Sequence, residues 1–130
     1  MQQPDRVADL VGRAGARDIQ TLVDFHQDAW SPDLGEDGAP VWATHGPAGP
    51  IDPSLLLCGP LEDSLTSRRL SAPVSAAFEA FFSPDSPSHA GLEDAFVAMV
   101  THVVERLETI PAPDAILGYE ILNEPVYDDR

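Results

Sequence analysis

The chain has 130 residues, 43% of them hydrophobic, which is enough for one domain with a single core. Its formal net charge of −15 makes nucleic acid and anionic membrane surfaces unfavourable partners, because their phosphates would be repelled. The single cysteine, Cys58, excludes an intramolecular disulfide, and its apolar neighbours predict a buried side chain. No signal peptide and no apolar run of roughly 20 residues is found, so the sequence leaves the localisation unknown.

Apolar periodicity predicts a helix and then a strand in the first part of the chain. Four residues form a stripe at helical spacing, and Gly15 is a suitable stop after them: Val7, Leu10, Val11 and Ala14. A short β-compatible run, Ile19 to Phe25, follows. The next stretch, about residues 29–70, is rich in Pro, Gly, Asp and Ser. A connection of this length is uncommon in a compact domain unless it is a functional loop or a disordered one.

The second half of the chain is predicted to contain two helices and a second strand. Pro73 is suited to the first turn of a helix whose apolar face is Val74, Ala77, Phe78, Phe81 and Phe82. Residues 91–107 form the next helix, with one apolar side made of Leu92, Phe96, Val100, Val103, Val104 and Leu107. The prolines of "IPAPD" end it, and "AILGYEIL" is predicted to be a strand with its apolar residues in a core.

This order is a βαβ unit preceded by a helix, which predicts an α/β fold with a parallel sheet covered by helices. Two strands alone can neither close a barrel nor complete a doubly wound sheet. We therefore expect the chain to be part of a domain.

Both predicted strands end in polar residues, "DFHQD" after the first and "NEP" after the second. In parallel α/β folds, ligands bind at the carboxyl ends of the strands, and in barrels the catalytic groups come from several such ends. Adjacent strands lie about 4.8 Å apart, so His26 and Glu124 could approach each other if the two strands pair.

The segment "LGYEILNEP" resembles the fourth-strand motif of glycoside hydrolase family 5, which belongs to a clan of retaining (β/α)8-barrel glycosidases that includes cellulase-like enzymes. "LVDFHQDAWS" resembles the third-strand segment, and "DFHQD" followed by "GAPVWA" is most similar to the endoglycoceramidase-like branch. The resemblance covers roughly residues 5–128. It implies a partial (β/α)8 TIM barrel, from the second helix through the third strand, long loop and helices to the fourth strand. Residues 1–130 would be a fragment of a single glycoside hydrolase catalytic domain.

The same resemblance implies roles for four residues. Glu124 matches the general acid/base, and Asn123 matches the residue that hydrogen-bonds near the sugar 2-hydroxyl and the nucleophile. His26 matches an active-site histidine that orders this network, and Asp28 would lie on the substrate side. The implied enzyme is a retaining O-glycosyl hydrolase, endo-acting on a β-linked glycan such as that of a glycosphingolipid, and it needs no cofactor.

The nucleophile is the missing part of this mechanism. A retaining glycosidase needs a second carboxylate about 5–5.5 Å from the acid/base. Glu120 precedes Glu124 by four residues and lies roughly 13 Å away along the strand, at about 3.3 Å per residue, so it cannot serve. In the family the nucleophile follows the seventh strand, which implies that it lies outside this chain.

Other interpretations remain open from the residues alone. Glu124 could be a loop-entry carboxylate, and His26 could be structural. His26 with Asp24 and Asp28 has the chemistry of a metal site but lacks a further ligand at useful spacing, so no metal is expected.

Further alternatives concern the two tryptophans and the chain as a whole. Trp30 and Trp42 could stack on sugar rings or anchor the long loop. The chain itself could be a non-catalytic remnant, or a piece that works only with the missing remainder of the barrel as its partner. The sugar, the linkage and the oligomeric state are not determined by the sequence.

Overall fold

The structure, a computed structural model, describes residues 3–34, 37–44 and 69–125. Most of the predicted long loop, including Cys58 and His45, lies outside these residues. In the described ranges the regular elements are α1 (Gln3–Gly15), β1 (Thr21–Asp24), α2 (Ala72–Phe82), α3 (His89–Glu108) and β2 (Ile116–Glu120). Short 3-10 helices cover Pro32–Leu34, Val41–Ala43 and Pro113–Ala115. Within these ranges no helix has the length and apolarity needed to cross a membrane.

The two strands form a parallel pair, as the predicted βαβ unit requires. Leu22 pairs with Gly118 and Asp24 with Glu120, after an irregularity in register near Thr21. The Phe25 amide extends the ladder by donating to the carbonyl of Glu120. The fold is therefore mixed α/β, with a parallel sheet whose two strands end side by side.

The chain divides into two compact units, of which the first comprises residues 1–25 and 94–121. Its core contains Ala8 and Val11 of α1 together with Leu107 and Ile110, and the inward side of the sheet packs on it through Val23 and Tyr119. Burying these apolar groups supplies the main free energy that holds the helices against the sheet.

The predicted apolar stripe of α1 is only partly correct. Val11 is buried, but Leu10 is 62% exposed and Val7 is also exposed, whereas Ala8 is buried. Ala8 and Val11 lie three residues apart and pack against Leu107 and Ile110, so the buried side of α1 is centred on these two residues and leaves Val7 and Leu10 outside it.

The prediction that the apolar residues of the second strand lie in a core also needs correction. Leu117 is 63% exposed, and Ile121 is exposed as well. Leu117 is the extra residue at the register irregularity, between the partners of Thr21 and Leu22, and Ile121 lies beyond the end of β2, so neither follows the side on which Tyr119 packs against the core. Parallel sheets usually have both faces covered, whereas here the residues that the structure describes leave an apolar face of the sheet open at Leu22 and Leu117.

The second unit comprises residues 26–93 and 122–130 and has an aromatic core. Its buried apolar residues are Ala29, Trp30, Leu34, Val74, Ala77 and Phe78. The Trp30 ring lies edge-on to Phe78, with centroids 4.9 Å apart, and its indole N–H donates to the Ala43 carbonyl at 3.2 Å. The apolar face predicted for α2 is confirmed, and Trp30 anchors the start of the long loop to it.

Candidate active site

Polar side chains that follow the two strands meet within the second unit. His26, Gln27 and Asp28 come after β1, and Asn123 and Glu124 come after β2. The Gln27 side-chain amide donates to the Asn123 carbonyl, and the Asn123 amide donates back to the Gln27 carbonyl at 3.4 Å. Because Gln27 is buried, this reciprocal pair fixes the two segments against each other.

The His26 ring contacts two other polar residues of the cluster, Asp28 and Asn123. Its Nε2 is 3.3 Å from Asp28 Oδ1 and 3.3 Å from Asn123 Nδ2. A protonated Nε2 donates to Asp28, whereas an unprotonated Nε2 accepts from Asn123. The tautomer of His26 therefore decides which neighbour it holds.

Arg69 joins the two carboxylates of the cluster, although it is distant from both in the sequence. Its Nη1 donates to Glu124 Oε2 at 2.5 Å, and its Nη2 donates to Asp28 Oδ1. The side chain of Arg69 is 23% exposed and that of Asp28 is 26% exposed, so this pair is partly shielded from water. The guanidinium is a planar fork that can serve two acceptors at once.

The charges of the cluster shift the pKa of two groups. Partial desolvation raises the pKa of the Asp28 carboxyl, but hydrogen bonds from Arg69 and His26, with the charges of both, outweigh it and lower this pKa below its usual range. Desolvation lowers the pKa of Arg69, and its bonds to Asp28 and Glu124 reverse this and raise it. Asp28 is thus an ionised acceptor, and Arg69 a permanent cation beside it.

Glu124 has an unusual backbone and an accessible carboxylate. Its φ of 37° lies in the left-handed region, which is unfavourable for a residue with a Cβ. Its side chain is 69% exposed. Strained backbone of this kind occurs often at functional sites, where the surrounding structure holds it.

The four residues singled out from the sequence are therefore gathered in one cluster: His26, Asp28, Asn123 and Glu124. Gln27 belongs to "DFHQD" but had been given no role, and Arg69 is an additional member that the sequence did not indicate. Asp24 ends β1 and is exposed. Among the residues that the structure describes, no three His, Cys, Asp or Glu side chains are grouped for a metal ion.

The tryptophans differ in their accessibility. Trp30 is 4% exposed and packs in the aromatic core, so it anchors the loop and has no free face for a sugar. Trp42 is 63% exposed. Of the two, only Trp42 keeps an aromatic face available for stacking.

The fold is similar to that of solved glycosidases. Endo-glycoceramidase II from Rhodococcus sp. in complex with a cellobiose-like imidazole superposes with a TM-score of 0.76 at 26% identity, over 95% of this chain. The same enzyme with a five-membered iminocyclitol gives 0.75 at 27% identity over 94% of this chain. Its lactosyl-enzyme intermediate gives 0.76 at 25% identity over 95% of this chain.

The chain spans only part of that enzyme, between 26% and 27% of its length in these three structures. No protein-family model matches the sequence. No curated protein matches it closely enough to serve as a relative. The likeness to the solved structures alone thus shows a glycosidase-like fold.

Proposed function

We propose that this chain supplies the general acid/base, Glu124, of a retaining O-glycosyl hydrolase that acts on a β-linked glycan. The observation that carries this proposal is a cluster of residues that lie within four positions of the ends of two parallel strands. In it Asn123 contacts His26, His26 contacts Asp28, and Arg69 joins Asp28 to Glu124. The likeness to endo-glycoceramidase II supports the choice of substrate class, the glycan of a glycosphingolipid.

In the proposed mechanism Glu124 protonates the leaving glycosidic oxygen and later deprotonates the water that releases the sugar. The exposed Glu124 carboxylate can reach a substrate that comes from solvent. Asn123 would hydrogen-bond near the sugar 2-hydroxyl, and His26 would order Asn123 and Asp28. Asp28 is an ionised acceptor, suited to receive hydrogen bonds from sugar hydroxyls.

Retention of configuration requires a nucleophile that forms a glycosyl-enzyme intermediate. The endo-glycoceramidase II neighbour has been captured as such a lactosyl-enzyme intermediate, which supports a retaining mechanism. We propose that the nucleophile belongs to a part of the (β/α)8 barrel outside this chain.

A segment exchange tests this function. Residues 1–130 would replace the matching segment of the Rhodococcus enzyme, and release of glycan from a fluorescent glycosphingolipid would be measured. We expect a folded chimera to be active, and Glu124→Gln to lower kcat by about 10²–10⁴-fold, since general acid–base catalysis contributes about that factor. The loss should be larger for an alkyl leaving group than for dinitrophenol, which departs without a proton.

The control is Glu120→Gln, which makes the same chemical change at an exposed residue four positions earlier and should leave activity unchanged. A folded chimera that is equally active with the Glu124→Gln substitution would contradict the proposed role. Turnover by the 130-residue chain alone, abolished by Glu124→Gln, would contradict the external nucleophile.

A second candidate function is a non-catalytic remnant or a complementing piece. The observation that favours it is the open apolar face of the sheet, where Leu22 is 56% and Leu117 is 63% exposed. Such a surface is suited to association with the remaining strands and helices of a barrel. A well-folded chimera without activity would favour the remnant.

A further inference from the structure

We propose that Arg69 is a positioning residue that holds the Glu124 carboxylate in place and couples it to Asp28. The role in catalysis rests on the function proposed for Glu124, whereas the clamp itself is a property of the chain. Arg69 lies 41 residues from Asp28 and 55 from Glu124, so the contact is made by the fold and not by local sequence.

The exposed position of Glu124 makes such a clamp necessary. Packing cannot fix its carboxylate, because the side chain is 69% exposed. The backbone of Glu124 does not stabilise this position either, because its left-handed φ of 37° is unfavourable. The contact with Arg69 Nη1 at 2.5 Å fixes the side chain from outside its own segment.

Arg69 can act as the fixed point because it is itself held. Its second nitrogen binds Asp28, whose carboxylate also contacts the His26 ring at 3.3 Å. The Arg69 side chain is 23% exposed, which limits the water that competes for its donors. Nη1 and Nη2 of Arg69 are thus both engaged, and the positions of the Asp28 and Glu124 carboxylates are coupled through the guanidinium.

The fork matters for this role as well as the charge. A lysine at position 69 would carry the same charge as a point ammonium group without the planar pair of donors. It could pair with one carboxylate but could not fix the distance between two. A general acid must lie within hydrogen-bond reach of the oxygen that it protonates, so the contact of Arg69 with Glu124 Oε2 would position Oε1 as the oxygen that carries the transferred proton.

The clamp can be tested on the 130-residue chain by NMR of the guanidinium groups. A guanidinium held by two acceptors rotates slowly about its Nε–Cζ bond, so we expect separate Nη1 and Nη2 signals for Arg69, assigned by their loss in Arg69→Lys. Asp28→Asn and Glu124→Gln should each merge the two signals. Glu120→Gln should leave them separate.

The position of Glu124 is read from its Hα–Hβ couplings in the same samples. We expect one dominant side-chain rotamer in the parent chain, and averaged couplings in both Arg69→Met and Arg69→Lys. If Arg69→Met does not fold, Asp28→Asn tests the same coupling with the arginine present, and it too should average the Glu124 couplings. Merged Arg69 signals in the folded parent chain, or full retention of the rotamer in Arg69→Lys, would overturn the proposal.

Both readouts are independent of hydrolysis. An inactive chimera with an intact clamp would contradict the function proposed for Glu124 and support the clamp. An active chimera whose Arg69 signals are merged would do the opposite.

Discussion

At the scale of single residues, the central feature of the site is the ion pair of Arg69 with Asp28, which is partly shielded from water. Asp28 receives hydrogen bonds from Arg69 and His26, and this lowers its pKa although desolvation opposes the change. The result is an acceptor that stays ionised in mildly acidic solution. In the proposed function such a group would accept hydrogen bonds from sugar hydroxyls while the Glu124 carboxyl group exchanges protons.

The lowered pKa of Asp28 predicts how stability depends on pH. Between the folded and unfolded pKa values the unfolded chain binds more protons, so stability rises with pH in that window. The contribution is present above the unfolded pKa of about 3.9 and is lost as pH falls through the folded value.

Replacing Arg69 by Met should raise the pKa of Asp28 and reduce this dependence in acid. The pKa of Asp28 is measured from the NMR shift of its carboxyl carbon as a function of pH. The free energy of unfolding is measured across the same pH range. The control is Arg13→Met, which removes an exposed arginine that pairs with Asp9 on α1 at 3.0 Å. An Asp28 titration that is identical in the Arg69→Met variant and the parent would contradict the interpretation.

The residue scale also shows where sequence reasoning reaches its limit. The residues of "NEP" and "DFHQD" could be singled out because each follows directly after a predicted strand. Arg69 could not, because its partners lie 41 and 55 residues away and no motif marks it. In an acidic chain with seven basic residues, each arginine is a candidate partner for a site carboxylate, and this was the one available signal.

At the scale of elements, α2 and the loop that begins at Trp30 form one packed body. Phe78 touches Trp30 on one side and stacks on Phe82 on the other, with centroid distances of 4.9 Å and 6.2 Å. Trp30 adopts a φ of 74°, which is unfavourable for a bulky residue. Burial of its ring and its bond to Ala43 offset this strain.

The two tryptophans should therefore respond differently to truncation. Trp30→Ala should lower the free energy of unfolding by about 3–5 kcal/mol, since it removes a large buried ring. Trp42→Ala should change it by less than about 0.5 kcal/mol, because its ring is exposed. Urea denaturation followed by circular dichroism measures both, and a larger effect at Trp42 would show that the packing is misassigned.

The elements themselves were largely predictable from periodicity, and their exposed faces were not. Apolar spacing located α2 and α3 and placed the strands to within a few residues. Apolar spacing wrongly predicted burial of Leu10 and Leu117. A hydrophobic side chain can be buried only where another surface packs against it, and the spacing does not show whether that surface is present. Whether a sheet face is covered depends on the elements that pack against it. The sequence of one βαβ unit does not specify those elements.

At the scale of the whole molecule, the dominant feature is an excess of negative charge. The 22 acidic residues against seven basic ones give a net charge of −15, and self-repulsion of this charge opposes compactness. Salt shortens the range of this repulsion, from about 30 Å at 0.01 M to about 8 Å at 0.15 M.

We expect the thermal unfolding midpoint to rise over that range of ionic strength. Sodium and potassium chloride should give the same result, which separates screening from ion-specific effects. A midpoint that falls with salt would show that local ion pairs, such as Arg106 with Asp5 at 3.0 Å, contribute more than the net repulsion.

The left-handed backbone at Glu124 has a consequence for how this chain evolves. Glycine or asparagine would adopt its φ of 37° with less strain, so a glutamate there persists only while its carboxylate is needed. In lineages that use the carboxylate in the way proposed for it, selection should retain Glu at this position against the backbone preference. In lineages without that use, position 124 should be among the first to drift to Gly or Asn, and its identity would then report whether selection acts on the proposed role.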